Sequence, residues 1–289
     1  MLSKFFKDSV VYAVSGILTR GLSFILLPLY TRLISPGEYG AFDLLIAFGT
    51  LVNLTVALEI AQALIRFYND NTSFEEKRGY AGTALVFTAV MYTIFLAVAL
   101  IFAPRLSVLV MGASGFEAVF RVGLGYLWLN GLFNLLQNIF RSDLQSRRYA
   151  LSSILMAVVT AVASVFLAYV MKLGLMGIVG GMALGALTGC VYAFIHLRDV
   201  IRPVCNVDLL KKMLKFSTPL VPSSIAVFIA YYIDRLMIRH FLSLEDVGIY
   251  GIAFRIANIT SIIMMGFQVA LVPLIYTHHR DRETPAHLA

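Results

Sequence analysis

The chain has 289 residues, 60% of them apolar and 13% charged, with a formal net charge of +7. A soluble domain runs at about half apolar and about a quarter charged, so this composition excludes an ordinary water-soluble fold. The basic surplus forms no block suited to nucleic acid, and its densest run, Lys211, Lys212 and Lys215, directly abuts an apolar segment, so it is read as membrane topology.

A membrane-spanning helix needs about 20 mostly apolar residues. Eight candidates meet this, over 10–34, 41–65, 80–103, 120–140, 150–171, 174–196, 214–238 and 249–276. The opening "MLSKFFKDSVVYAV" resembles a signal peptide in its charge, but the apolar run continues without a small-residue cleavage site. It is read as a retained first span.

Arg20 falls near the middle of that first span. A central arginine costs ~2.5–3.5 kcal/mol on insertion scales, so such residues usually face a bundle interior or a wet cavity. Glu59, toward the far end of the second span, lies at comparable depth, which predicts an Arg20–Glu59 pair. The pair has two readings. It locks two helices together, or Arg20 attracts an anion while Glu59 exchanges a proton or ion. Pro28 is a candidate kink.

The fourth span carries "LNGLFNLLQNIFR", in which Asn130, Asn134, Gln137, Asn138 and Arg141 fall on one helical face. One amide is ordinary interhelical glue; a stripe of four ending in arginine is read as the lining of a hydrated path. In the sixth span Gly177, Gly181, Gly185 and Gly189 recur every four residues and predict close helix packing. The seventh opens with Pro219 and Pro222, and Asp234, Arg235 and Arg239 crowd its outer end, where they are expected to snorkel to the interface. Arg32 lies on the same side. The eighth span holds Arg255, a second in-membrane cation, and Pro273 as a further kink.

Basic residues set the orientation: fifteen of the twenty-three collect on one side and six on the other, with Arg20 and Arg255 inside spans. Both termini are therefore placed in the cytoplasm. A shift of 208 residues lays the first two spans over the last two, matching Ser35 to Ser243, Gly40 to Gly248 and Tyr68 to Tyr276. The shift is an even six spans, so the repeat is parallel, a plan that places a substrate site between two halves. The expected fold is an all-α integral membrane protein. Residues 1–200 form a six-helix lobe, 201–276 the first two helices of a second lobe, and 277–289 a polar cytoplasmic tail; by this reading the chain is C-terminally truncated.

No phosphate loop and no G-x-S-x-G elbow occurs, so the chain is not read as an enzyme. Cys190 and Cys205 lack metal or redox spacing, His278 and His279 have no ligand set around them, and no metal is expected.

The stretches "LTRGLSFILLPLYTRLISPGEYGAFDLL" and "LKFSTPLVPSSIAVFIAYYIDRLMIRHFLSLEDVGIYGIAFRIA" resemble the openings of the two lobes of Wzx/RfbX-type oligosaccharide flippases. These form the polysaccharide-transport branch of the multidrug/oligosaccharidyl-lipid/polysaccharide exporter superfamily, and the resemblance runs from about residue 5 to 276. It implies movement of undecaprenyl-diphosphate-linked sugar repeat units, such as those of O-antigen lipopolysaccharide, across the bacterial inner membrane. It also implies alternating access driven by a proton or sodium gradient, with no other cofactor. Partners are the lipid-linked oligosaccharide, membrane lipids, and the polysaccharide polymerase and chain-length machinery. Arg20, Arg255 and the amide stripe match a cationic, polar lumen, and Glu59 matches ion coupling. The alternatives are a drug–cation antiporter of the same superfamily, an enzyme acting on the same lipid carrier, and a non-transporting fragment. An antiporter should have a more acidic lumen than Glu59 and Asp43 provide, and such an enzyme should carry a sizeable outer loop.

Overall fold

The computed structural model describes residues 2–70, 73–201, 205–258 and 260, with side chains from Val10 onward. Among these residues the chain is helical throughout and contains no strand. The order is α1 (Leu2–Leu33), α2 (Pro36–Thr55), α3 (Ile60–Asp70), α4 (Phe74–Ile101), α5 (Ala103–Met111), α6 (Glu117–Ser142), α7 (Ser146–Val165), α8 (Gly174–Leu197), α9 (Val207–Ser217), α10 (Val221–Phe241) and α11 (Leu244–Ala257). Six helices are long and apolar enough to cross a membrane, and α2 with α3 makes a seventh bent by 46°. The protein is a multi-pass membrane protein.

The span expectations hold in number for the first six, with corrections at their breaks. The second span is not one helix: residues 56–59 unwind between α2 and α3, with Leu58 and Glu59 at φ 49° and 54°. That left-handed backbone is costly away from glycine, so packing must hold it. The seventh span contains the expected 214–238 but is longer, running Val207–Phe241. Its first part, residues 207–217, is an amphipathic helix; a 3-10 turn at Thr218–Leu220 carries Pro219, and α10 follows with Pro222 in its first turn. The α9 helix is capped by Asn206, whose side chain accepts from the Asp208 and Leu209 amides, while the Asn206 amide donates to Thr83 of α4. Pro28 does not interrupt α1. The eighth span is described only to residue 258 and at 260, so Pro273, Tyr276, His278 and His279 lie outside the described residues.

Two apolar cores stack along the bundle. One joins α3, α4, α6 and α9 through residues such as Leu64, Tyr68, Phe140 and Met213; the other joins α1, α2, α5, α6 and α8 around Tyr39, Leu45, Phe120 and Ile178. The glycine face of α8 packs closely on α7, with Gly181 against Ser164 and Gly185 against Thr160.

The repeat is visible as packing. Ser35 and Ser243 each close a capping box, with Glu38 and Asp246 as the reciprocal acids. The two copies then cross: a methyl on Gly40 would overlap the Leu244 carbonyl oxygen, and one on Gly248 would overlap that of Pro36. Residues 36, 40, 244 and 248 are related by the same 208-residue shift, so the contact is reciprocal, as across a twofold axis. Only residues without a Cβ allow the backbones this close.

Candidate functional site

Polar side chains inside the bundle form two connected groups. The first lies between α2, α4 and α6. Tyr92, almost wholly buried, donates to Asn53 Oδ1 at 2.6 Å; Asn53 Nδ2 donates to Asn130 Oδ1 at 3.2 Å, and Asn134 Nδ2 donates to the same oxygen at 2.9 Å. Asn138 continues the line by donating to the Asn134 carbonyl. Asn134 is exposed and Asn130 half-buried, so this row keeps an open side. Gln137 departs from the expected single face. It is 6% exposed and donates to Ser152 and Ser153 at 2.9 and 3.0 Å, which binds α6 to α7. Arg141 is exposed and lies over the Tyr149 ring.

The second group runs along the seam between α2 and the later helices, with three polar contacts on α10. Glu59, in the unwound turn, accepts from Ser224 Oγ at 2.6 Å. Thr50 and Tyr232 hydroxyls lie 3.2 Å apart. Asp43 accepts from Arg235 Nε at 2.7 Å. The three α2-side residues are met in reverse order on α10, as antiparallel neighbours require.

Asp43 is the centre of the strongest charge cluster. It is 5% exposed and Arg235 is 3% exposed. Arg235 also bonds Asp234 Oδ1 at 3.1 Å and the Tyr231 carbonyl at 3.0 Å, and the rings of Tyr232, Tyr250 and Phe254 surround it at 4.3–5.5 Å. Tyr250 donates to Asp234. Arg255 Nη2 reaches Asp43 Oδ1 at 3.4 Å and lies over Tyr39 and Phe42, each 5.3 Å away. Two cations thus face one deeply buried acid, and a second acid, one-third exposed, closes the cluster.

Several placements differ from expectation. Arg235 does not snorkel: it sits about 9 Å inside the end of α10 at 1.5 Å per residue and is sealed by aromatic rings. Glu59 is paired with Ser224 rather than with Arg20. Arg239 is half-buried and donates to the Leu109 and Val108 carbonyls, where it satisfies the C-terminus of α5. Arg32 is exposed at the end of α1. Arg20 is exposed at mid-helix. Its neighbours Thr19 and Gly21 line an apolar trough of about 420 Å³ between α1 and α7, and Thr19 is shared with an adjoining cavity of about 310 Å³ whose wall includes Ser153, the partner of Gln137.

Asp43 is the residue sequence reasoning undervalued. A lone acid in "AFDLLIA" is as costly in an apolar span as Arg20, and that signal was available. The repeat gives a second signal: its equivalent is Gly251, whose missing side chain leaves the space that the Asp43 carboxylate fills. Among the described residues no group of three acidic, histidine or cysteine side chains could hold a metal ion.

Known proteins resemble the chain over nearly its whole length. The profile of a family described as polysaccharide biosynthesis protein matches residues 5–279. A protein of the Lsg locus of Haemophilus influenzae is 22% identical, with 94% of this chain and 66% of the relative covered. The succinoglycan biosynthesis transport protein ExoT of Rhizobium meliloti is 23% identical, with 92% and 52% covered. The chain thus spans roughly half to two-thirds of the length of these curated relatives. Among solved structures, a MATE protein in complex with MaD3S superposes with a TM-score of 0.70 at 17% identity, covering 92% of this chain and 64% of that one. An outward-facing multidrug resistance MATE family transporter of the MOP superfamily superposes at 0.64 with 16% identity, covering 98% and 74%. These likenesses show the fold.

Proposed function

Since the chain belongs to the polysaccharide biosynthesis protein family, we propose that it moves undecaprenyl-diphosphate-linked oligosaccharide repeat units between the leaflets of the bacterial inner membrane, by ion-coupled alternating access. The observation that carries the reading is the open row of amides on α6, joined through Asn53 to α2 and set in a MATE-like fold. Amides both donate and accept, which suits sugar hydroxyls. A central arginine, Arg20, suits a diphosphate through its planar fork of donors. Glu59, in a broken helix at the seam, has the setting in which transporters hold coupling ions.

In this reading the Ser35 and Ser243 turns face outward, both termini face the cytoplasm, residues 1–200 form one lobe, and α10 and α11 begin the next. Transport is the chemistry, and no covalent step is assigned to the chain. The polymerase and chain-length machinery would take the product on the outer side.

The test is Arg20→Ala in a strain whose only copy carries the change. Surface glycan should be lost while the protein remains inserted at wild-type level. Normal glycan refutes the role of Arg20, and normal glycan in a strain deleted for the gene refutes the function.

A further inference from the structure

Two adjoining cavities in the first lobe lie apart from the amide row and from the seam. The outer one is the trough of about 420 Å³ between α1 and α7, walled by Ile17, Leu18, Leu22, Ile25, Ile154 and Val158. The inner one, of about 310 Å³, lies among α1, α6, α7 and α8 and carries the hydroxyl side chains of Ser23, Tyr126, Ser153 and Thr160. Thr19, Leu22 and Ala157 line both and form the junction.

The hydroxyls of the inner cavity are unevenly satisfied. Thr19 and Ser23 spend their protons on carbonyls of α1 itself. The buried Thr160 hydroxyl has no partner among the described residues. Ser153 accepts from Gln137, and Gln137, 6% exposed, keeps its Oε1 unpaired after its amide nitrogen has reached Ser152 and Ser153. Buried polar groups without partners cost free energy, so the α7 side of this cavity calls for a hydrogen-bonding guest.

Depth and charge narrow what that guest is. Gly21 and Leu22 are the middle pair of the Val10–Leu33 span, Val158 is the middle residue of Ser146–Val170, and all three line the trough. Ile17, Leu18, Ile25 and Val158 are exposed, so the trough faces the bilayer at mid-depth, where a charged group is costly. Neither wall carries a charged side chain. Arg20 is turned away, because at about 100° per residue it falls on the other side of α1 from Leu18, Leu22 and Ile25. Water would serve the hydroxyls and leave the trough unfilled. A plain hydrocarbon chain would fill the trough and leave the hydroxyls unpaired. A long chain ending in an uncharged hydroxyl does both.

We propose that the trough and the inner cavity together bind a long-chain lipid alcohol, its chain lying between α1 and α7 and its hydroxyl bonded to Thr160 and Ser153. The site is separate from the amide row, and its occupancy does not depend on the transport reading.

The probe is 1-hexadecanol carrying a diazirine near the end of its chain, added to the full chain in nanodiscs of zwitterionic lipid. Labelled positions are mapped by peptide mass spectrometry. Competition is measured with 1-hexadecanol, hexadecane and hexadecyl phosphate at equal fractions of the bilayer. Label should fall on the α1 and α7 segments that wall the trough. Hexadecanol should displace the probe at about three- to tenfold lower content than either competitor, the order of one hydrogen bond. Thr160→Val keeps the side chain's shape and breaks no existing bond, so the protein should accumulate and melt as before. In that variant the advantage of the alcohol over hexadecane should shrink to within about twofold. Ala157→Phe fills the junction and should abolish labelling of the trough segments.

Equal displacement by hexadecane overturns the proposal and leaves an ordinary lipid crevice. Stronger displacement by hexadecyl phosphate, an undiminished preference for the alcohol in Thr160→Val, or labelling outside the trough overturns it as well. If Ala157→Phe fails to accumulate, the competition series and Thr160→Val decide the matter. Loss of glycan on Arg20→Ala stands or falls independently of this labelling.

Discussion

Replacing Asp43 by Asn removes the one carboxylate that, among the described residues, contacts both seam arginines. Breaking a buried pair by removing one partner costs about 3–5 kcal/mol, mostly because the surviving charge stays buried. Arg235 retains Asp234 at 3.1 Å, the Tyr231 carbonyl at 3.0 Å and three ring faces, so the lower end, about 3 kcal/mol, is expected. For a chain of 289 residues that corresponds to a melting shift of about 5 °C. The assay is thermal unfolding of the detergent-solubilised protein, run on Asp43→Asn, Arg235→Met and the double variant. With both partners gone neither deeply buried charge remains, and only the part-exposed Arg255 and Asp234 lose a contact, so the double variant should recover at least half of the loss and give a coupling of about 2 kcal/mol. Strict additivity, or a single variant melting within about 2 °C of wild type, refutes the buried-pair reasoning.

Three further outcomes follow from separate features. Gly40→Val and Gly248→Val should each lower stability by about 1–3 kcal/mol, and by similar amounts because each side chain meets the other copy's carbonyl; unequal melting losses would contradict the reciprocal crossing. Asn53→Leu strands the buried Tyr92 hydroxyl and should cost about 1–3 kcal/mol, with Tyr92→Phe in the same chain restoring most of it in the same melting assay. Glu59→Gln keeps an oxygen to accept from Ser224, so folding should be unchanged while gradient-driven transport in vesicles is lost; unaltered gradient dependence removes Glu59 from the coupling role.

Much of the fold was legible because hydrophobic length is a property of the chain itself. Six of the eight predicted spans coincide with single helices or one bent pair, to within a few residues. The repeat was legible for a related reason: a capping box needs a serine and an acid three residues apart, and both copies keep that spacing. Periodicity could not reveal where a span breaks. Nothing in "VNLTVALEIAQ" forbids a helix, and the unwinding at Leu58 and Glu59 is held by neighbours, Ser224 among them, that come from a distant part of the chain.

The site was legible only as a set of costly residues, because sequence gives the cost of burying a charge but not the identity of its partner. Arg235 lies near a span end, and from the chain alone the interface was the cheapest place for it. What reverses that reading is the crossing at Gly40 and Gly248, which brings α10 and α11 close enough to α2 for Asp43 to reach two guanidinium groups. The same crossing explains why Asp43 is tolerated at all: its equivalent in the second copy is Gly251, and the missing side chain there makes the space for the carboxylate. A symmetric skeleton with complementary, unsymmetric charge is therefore a single arrangement, and a Cβ at Gly251, 2.9 Å from Asp43 Oδ2, should push the carboxylate aside and lower the melting temperature by less than Asp43→Asn does.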